Sequence, residues 1–274
     1  MGEPGQKPIE YKKRWAVRVS AVIAAVSVGA VGLVDQGVAS DVALAKPAAY
    51  TSVDGAAPSQ EASETCSPKK IVVLGSSTAA GQGANPSSES WVSLFAKDHP
   101  NDEIINLAAS GETTYDALPD GSQPPPGRPS PDRAHNLSEA LRYRPDAIIF
   151  AYSSNDEFKR FSLEETKANY LKIQEAAEEE GIPVFFTTPQ PRVFSEQQTN
   201  ELKELKDWIQ SQFPDNSIDF WSGVANPDGT PKPEDYTPDL VHVNNTGHRI
   251  HRQEFASSHI LEKVCESASS RAQH

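Results

Sequence analysis

"IVVLGSSTAAGQGA", residues 71–84, runs from four apolar residues into glycine, two serines and threonine. A short, unalternating, β-prone run is how a strand buried on both faces reads. It stops abruptly in small residues, so the next segment is a loop at a strand end. As a phosphate loop it would need G-x-x-x-x-G-K-[ST], but Gln82, Gly83 and Ala84 follow Gly81 and no Lys does. The glycine spacing is also wrong for a dinucleotide loop. A plain turn and a seat for a nucleophile remain, and a glycine-flanked serine alone is more often the turn.

Working outward, four more runs have the same character: "EIINLA" (103–108), "DAIIFAY" (146–152), "IPVFFTT" (182–188) and "SIDFW" (217–221). Helices are expected between them. Trp91, Leu94 and Phe95 mark one. Ser162-Leu-Glu-Glu165 and Ser195-Glu-Gln-Gln198 are capping boxes that open two more. A last helix is expected over Ile250 to Val264. Five strand-plus-helix units in sequence imply an α/β fold: a three-layer α/β/α sandwich on a five-stranded parallel sheet, flavodoxin-like in class. Ligands bind such sheets beyond the carboxyl ends of the strands. No internal repeat is visible.

The 274 residues hold one sizeable domain plus extensions, and a net charge of −13 disfavours nucleic acid as a partner. Residues 1–18 form a basic tail ending in Lys12, Lys13, Arg14 and Arg18, and residues 19–34 carry no charge. A basic flank before an apolar run reads as a signal peptide or a signal anchor. The positive-inside rule then puts everything downstream outside the cytoplasm, secreted or membrane-anchored, with the membrane touched only through this segment if it is uncleaved. Residues 35–65, rich in Ala, Ser and Pro, read as a flexible linker. The folded domain is expected over 66–268 and a short tail over 269–274. Of the two cysteines, Cys66 opens the domain and Cys265 lies in its last helix. In an oxidising compartment a bridge between them is expected, against the alternative of two buried thiols.

The chemistry lies in four segments at the proposed strand ends: Gly75-Ser76-Ser77-Thr78, Ala108-Ala-Ser-Gly111, Ser153-Ser-Asn155-Asp156 and Asp239-Leu-Val-His242. Together they supply a nucleophile, a base, an orienter for the base and amide donors, the set an acyl-transfer site needs. Over roughly residues 69–265 these segments resemble the conserved blocks of the SGNH (GDSL-like) hydrolases. The resemblance implies Ser77 as nucleophile, His242 as general base, and Asp239 as the group that orients His242. It also implies an oxyanion hole from the Ser77 and Gly111 amides and the Asn155 side chain. Two positions depart from the family pattern: Ser76 stands where the signature has Asp, and Ser153 where the third block has Gly.

The other histidines are set aside. His248, His251 and His259 read as surface or packing residues of the last helix, and His99 and His135 as lacking an acidic partner at the right spacing. No cofactor or metal is expected, since no His/Cys/Asp cluster shows ligand spacing in sequence. "LPDGSQPPPGRPSPD" (118–132) is a site wall or a surface insertion, and Arg192 is read as a surface ion-pair former. The sequence therefore points to an extracytoplasmic serine esterase acting on a small ester or an acylated carbohydrate. The rival readings are an acyltransferase on cell-surface glycans with the same triad, and a non-catalytic glycan-binding domain.

Overall fold

The computed structural model describes residues 69–152 and 154–271. The expected basic tail, apolar run and linker, with Cys66 and Ser153, lie outside the described residues. Five parallel strands form one sheet: β1 (Lys70–Gly75), β2 (Glu103–Asn106), β3 (Ala147–Ala151), β4 (Val184–Thr187) and β5 (Ser217–Ile218), in the order β2-β1-β3-β4-β5. The inner strands β3 and β4 are buried at every position, while edge strand β2 is not. This explains why the inner runs do not alternate.

Successive side chains of β1 point to opposite faces, and each face has its own core. Val72 and Leu74 pack with Ile148, Phe150, Tyr170, Phe186 and Leu205. Ile71 and Val73 pack with Trp91, Ile149, Phe185 and Phe255. The one-turn helix α3 (Asn155–Phe158) follows β3, and helices α2 (Leu137–Arg142), α4 (Leu163–Glu179) and α5 (Glu196–Gln212) cover the first face. Helices α1 (Trp91–Asp98), α6 (Asn245–Ser257) and α7 (Ile260–Arg271) cover the second. The three layers are those the sequence implies.

The two capping boxes open α4 and α5 as expected, with reciprocal side-chain and backbone bonds in both. Each cap contributes about 1 kcal/mol. Glu165 has further partners: it accepts from Arg128 Nε and Nη2 at 2.7 and 2.9 Å and from Tyr115 Oη at 2.9 Å. The Pro-rich loop 118–132 is thereby tied to α4, and Arg128 also lies 4.4 Å over the Phe161 ring.

Two expected elements differ in extent. The last strand ends at Ile218 because Asp219 Oδ1 accepts from the Trp221 and Ser222 amides, folding the chain into a turn. The last helix is two helices. It starts earlier than expected, at Asn245, where the Asn244 side chain caps two amides. It breaks at Ser258-His259, where His259 takes φ 53°, and α7 then runs to Arg271, past the expected domain end. His259 is exposed beside the break, whereas His248 and His251 are completely buried.

Candidate active site

The strand order reverses at β1: the chain steps from β1 to β2 on one side and returns to β3 on the other. A crevice opens between the loops that leave two such strands in opposite directions. Here those loops carry Ser77 and Asn155. Gly75 pairs with Ala151 at the end of the register, so both loops depart at the same level.

The loop after β1 turns tightly. Ser76 N–H donates to Ala151 O, and the Ser76 and Ser77 carbonyls accept from Ala80 and Gln82. Ser76 is buried in this turn, and it is Ser77 that faces His242: His242 Nε2 lies 3.0 Å from Ser77 Oγ, and His242 Nδ1 lies 2.7 Å from Asp239 Oδ2. Asp239 is fixed in turn. Its Oδ1 accepts from Thr237 Oγ1 at 2.6 Å, Val241 N at 2.9 Å and His242 N at 3.0 Å. Partial burial opposes the charge on Asp239. The bonds from Thr237, His242 and Val241 outweigh it and hold the carboxyl well below the usual carboxylate range. Asp239 is thus an anion beside Nδ1, the arrangement that keeps the Nδ1–H tautomer and leaves Nε2 to accept from Ser77.

The donors stand opposite. Neither Ser77 N–H nor Gly111 N–H meets an acceptor among the described residues. Gly111 adopts φ +86° with nothing within 4 Å of a built Cβ, so its backbone conformation, and not space, calls for glycine. Asn155 Nδ2 donates to the Glu112 carbonyl at 2.7 Å, which orients the amide and uses one of its two protons. Behind Asn155, Asp156 accepts from Thr114 N at 3.0 Å and Thr114 Oγ1 at 2.5 Å, tying the third segment to the chain just past Gly111. Burial pushes the Asp156 carboxyl up to about 6 against those bonds.

Two residues outside the four segments hold the parts together. Gly83, at φ +97°, lies against the Val243 carbonyl and the His242 Cβ. His248 Nδ1 accepts from Trp91 N at 3.3 Å, and its Nε2 reaches Gln82 O at 3.2 Å. That buried ring joins the serine loop, α1 and α6, and burial lowers its pKa to about 4. The "TGH" run at residues 246–248 was the available signal in the sequence.

Other sequence expectations are corrected. His135 has an acidic partner after all: Asp132 is three residues before it, with Oδ2 3.2 Å from Nδ1. Glu112 also approaches His135, so an acidic-imidazole cluster exists in space that spacing did not reveal. Arg192 makes no ion pair among the described residues. It lies across the rings of Phe158 and Phe194 at 4.2 and 5.1 Å. An open pocket of about 340 Å³, lined by Phe158, Arg160, Arg192, Val193 and Phe194, lies there. It borders the Asp239 turn, where Val193 N donates to Leu240 O. Cys265 carries no free thiol, and its expected partner lies outside the described residues.

An α/β sheet with a serine, histidine and aspartate linked at its switch point defines the hydrolase class to which such sites belong. The GDSL-like lipase/acylhydrolase family model matches residues 73–250, and the chain belongs to that family of ester hydrolases. No curated protein matches the sequence significantly. Solved structures share the fold. A lipolytic protein assigned to the G-D-S-L family from Desulfitobacterium hafniense is 18% identical with TM-score 0.54, over 69% of this chain and 99% of that one. The psychrotrophic esterase EstA from Pseudoalteromonas sp. is 17% identical with TM-score 0.53, over 69% and 96%. The acetyl xylan esterase AlAXEase is 16% identical with TM-score 0.50, over 69% and 98%.

Proposed function

We propose that the chain is an extracytoplasmic serine esterase that hydrolyses small acyl esters, with acetylated carbohydrate as its natural substrate class. The observation that carries the mechanism is the hydrogen-bonded series Ser77 Oγ, His242 Nε2, His242 Nδ1 and Asp239 Oδ2. Ser77 Oγ attacks the ester carbonyl carbon while His242 Nε2 takes the hydroxyl proton. The developing oxyanion receives hydrogen bonds from the Ser77 and Gly111 amides and the second Asn155 Nδ2 proton. Collapse of the tetrahedral intermediate expels the alcohol, protonated by His242, and leaves an acyl-serine. Water, deprotonated by His242, then releases the acid and restores Ser77. Asp239 stays ionised throughout.

The small-acyl part is supported by the absence of a long apolar lid segment among the described residues. The carbohydrate part is supported only by analogy with a fold neighbour that acts on acetylated xylan. The basic flank before the apolar run at 19–34 supports location outside the cytoplasm. A bridge between Cys66 and Cys265 fits that compartment and the absence of a free thiol at Cys265.

The test is release of p-nitrophenol from acetyl, butyryl and octanoyl esters by the intact chain. Ser77→Ala should abolish turnover, Ser76→Ala should retain it, and acetyl should be cleaved faster than octanoyl. Equal rates for Ser77→Ala and the parent would overturn the mechanism. A preference for octanoyl would overturn the substrate class. An unchanged thiol titre before and after reduction would remove the bridge.

A further inference from the structure

Glu112, Asp132 and His135 form a cluster separate from the Ser77–His242–Asp239 series. One ligand atom from each lies within 4.8 Å of the others. His135 Nδ1 is 3.3 Å from Glu112 Oε1 and 3.2 Å from Asp132 Oδ2. Glu112 is only 7% exposed. Its Oε1 nevertheless has no hydrogen-bond partner, and neither does His135 Nδ1. These two atoms face each other at contact distance without the geometry of a hydrogen bond.

Leaving a buried polar atom unsatisfied costs about 1–3 kcal/mol, and more for a charged group. Burial and the neighbouring acidic groups, Asp132 among them, push the Glu112 carboxyl up to about 8. A shared cation removes the penalty of the unpartnered atom by giving Oε1, Oδ2 and Nδ1 a common partner. Metal–ligand bonds of about 2.0–2.2 Å at tetrahedral angles set neighbouring donors about 3.3 Å apart. The two separations from Nδ1 have that size. An imidazole with two carboxylates suits zinc or manganese better than calcium or magnesium, which prefer all-oxygen sites.

We infer that Glu112, Asp132 and His135 are the protein ligands of a divalent transition-metal ion, zinc or manganese, with the remaining position open to water. The ion clamps the far end of the 118–132 loop to Glu112, the residue that follows the second segment. It takes no part in the hydrolytic step. Its consequence for the site runs through Glu112: the carbonyl of that residue accepts from Asn155, and its Oε2 accepts from Tyr152 Oη at 3.1 Å. Holding the Glu112 side chain therefore holds the acceptor that orients Asn155. This assignment is independent of the esterase reading.

The test uses the intact chain stripped with chelator. Zinc, manganese and calcium are titrated separately by calorimetry, with a thermal melt at each endpoint. One equivalent of zinc or manganese should bind and raise the Tm, and calcium should bind at least tenfold more weakly. His135→Gln and Asp132→Asn alter partly exposed side chains and should each weaken binding at least tenfold. His242→Gln should leave binding unchanged. No binding of zinc or manganese up to millimolar concentration would overturn the assignment. So would tighter binding of calcium, unchanged binding in His135→Gln, or loss of binding in His242→Gln.

Discussion

The backbone of Gly83 lies so close to Val243 that a Cβ on Gly83 would stand 2.1 Å from the Val243 carbonyl oxygen. The serine loop and the histidine loop touch through bare backbone there, and the same Cβ would meet His242 Cβ at 3.2 Å. Gly83→Ala should therefore push the two loops apart. The φ of +97° adds strain of about 1–3 kcal/mol for a residue with a side chain. The expected result is a lower Tm and a fall in kcat of about 10²-fold, since a shift of about 1 Å between reacting groups costs that much. A melt and p-nitrophenyl acetate kinetics on the purified variant check both.

Asp239→Asn should keep the fold and lose most of the rate. The amide can still accept from Thr237 and from the backbone, but it cannot stabilise a positive His242 or enforce its tautomer. A fall of about 10⁴-fold in kcat with little change in KM is expected. A KM effect alone would mean that Asp239 only shapes the binding surface.

Asn155→Ala should lower kcat by about 10²–10³-fold, the usual loss for one oxyanion donor, while leaving KM nearly unchanged. Steady-state kinetics with the acetyl ester separate the two constants.

His248 predicts an acid-dependent loss of stability. Burial lowers its folded pKa to about 4, below the ordinary imidazole value of about 6.5. The contribution is complete above about pH 6.5. It declines as pH falls toward 4, because the unfolded chain takes up the proton first. At about 1.36 kcal/mol per unit, the full effect is of order 3 kcal/mol. Urea unfolding at pH 7, 5.5 and 4 should show a steeper acid loss in the parent than in His248→Gln.

Phe158→Ala should raise KM for p-nitrophenyl esters several-fold with a smaller effect on kcat. The exposed ring supports Arg192 in the pocket beside the Asp239 turn and belongs to the same short helix as Asn155 (Asn155–Phe158). Unchanged kinetics would place the substrate elsewhere.

The strands and the two capped helices were legible because their signals are local. An unbroken apolar run reports burial on both faces, and Ser-x-x-Glu or Ser-x-x-Gln reports a helix start. The break between α6 and α7 was not legible, since His259 occupies a left-handed conformation without a glycine or proline to announce it. The four chemical segments were legible by type and order, but distances between them were not. Asp132-Arg-Ala-His135 has the same spacing as Asp239-Leu-Val-His242, and only the fold shows which imidazole meets Ser77. Glu112 escaped notice because its partners lie about twenty positions along the chain and meet it through the folded loop.

Ser77 and His242 are separated by 165 positions in the chain. A ribosome finishes the strand that delivers the serine long before it makes the imidazole. During that interval the hydroxyl has no base, and a chain stalled before residue 242 lacks the group that would take the Ser77 proton. The site is therefore complete only once the "VHVNNTGH" segment (241–248) has been made and lies against Gly83.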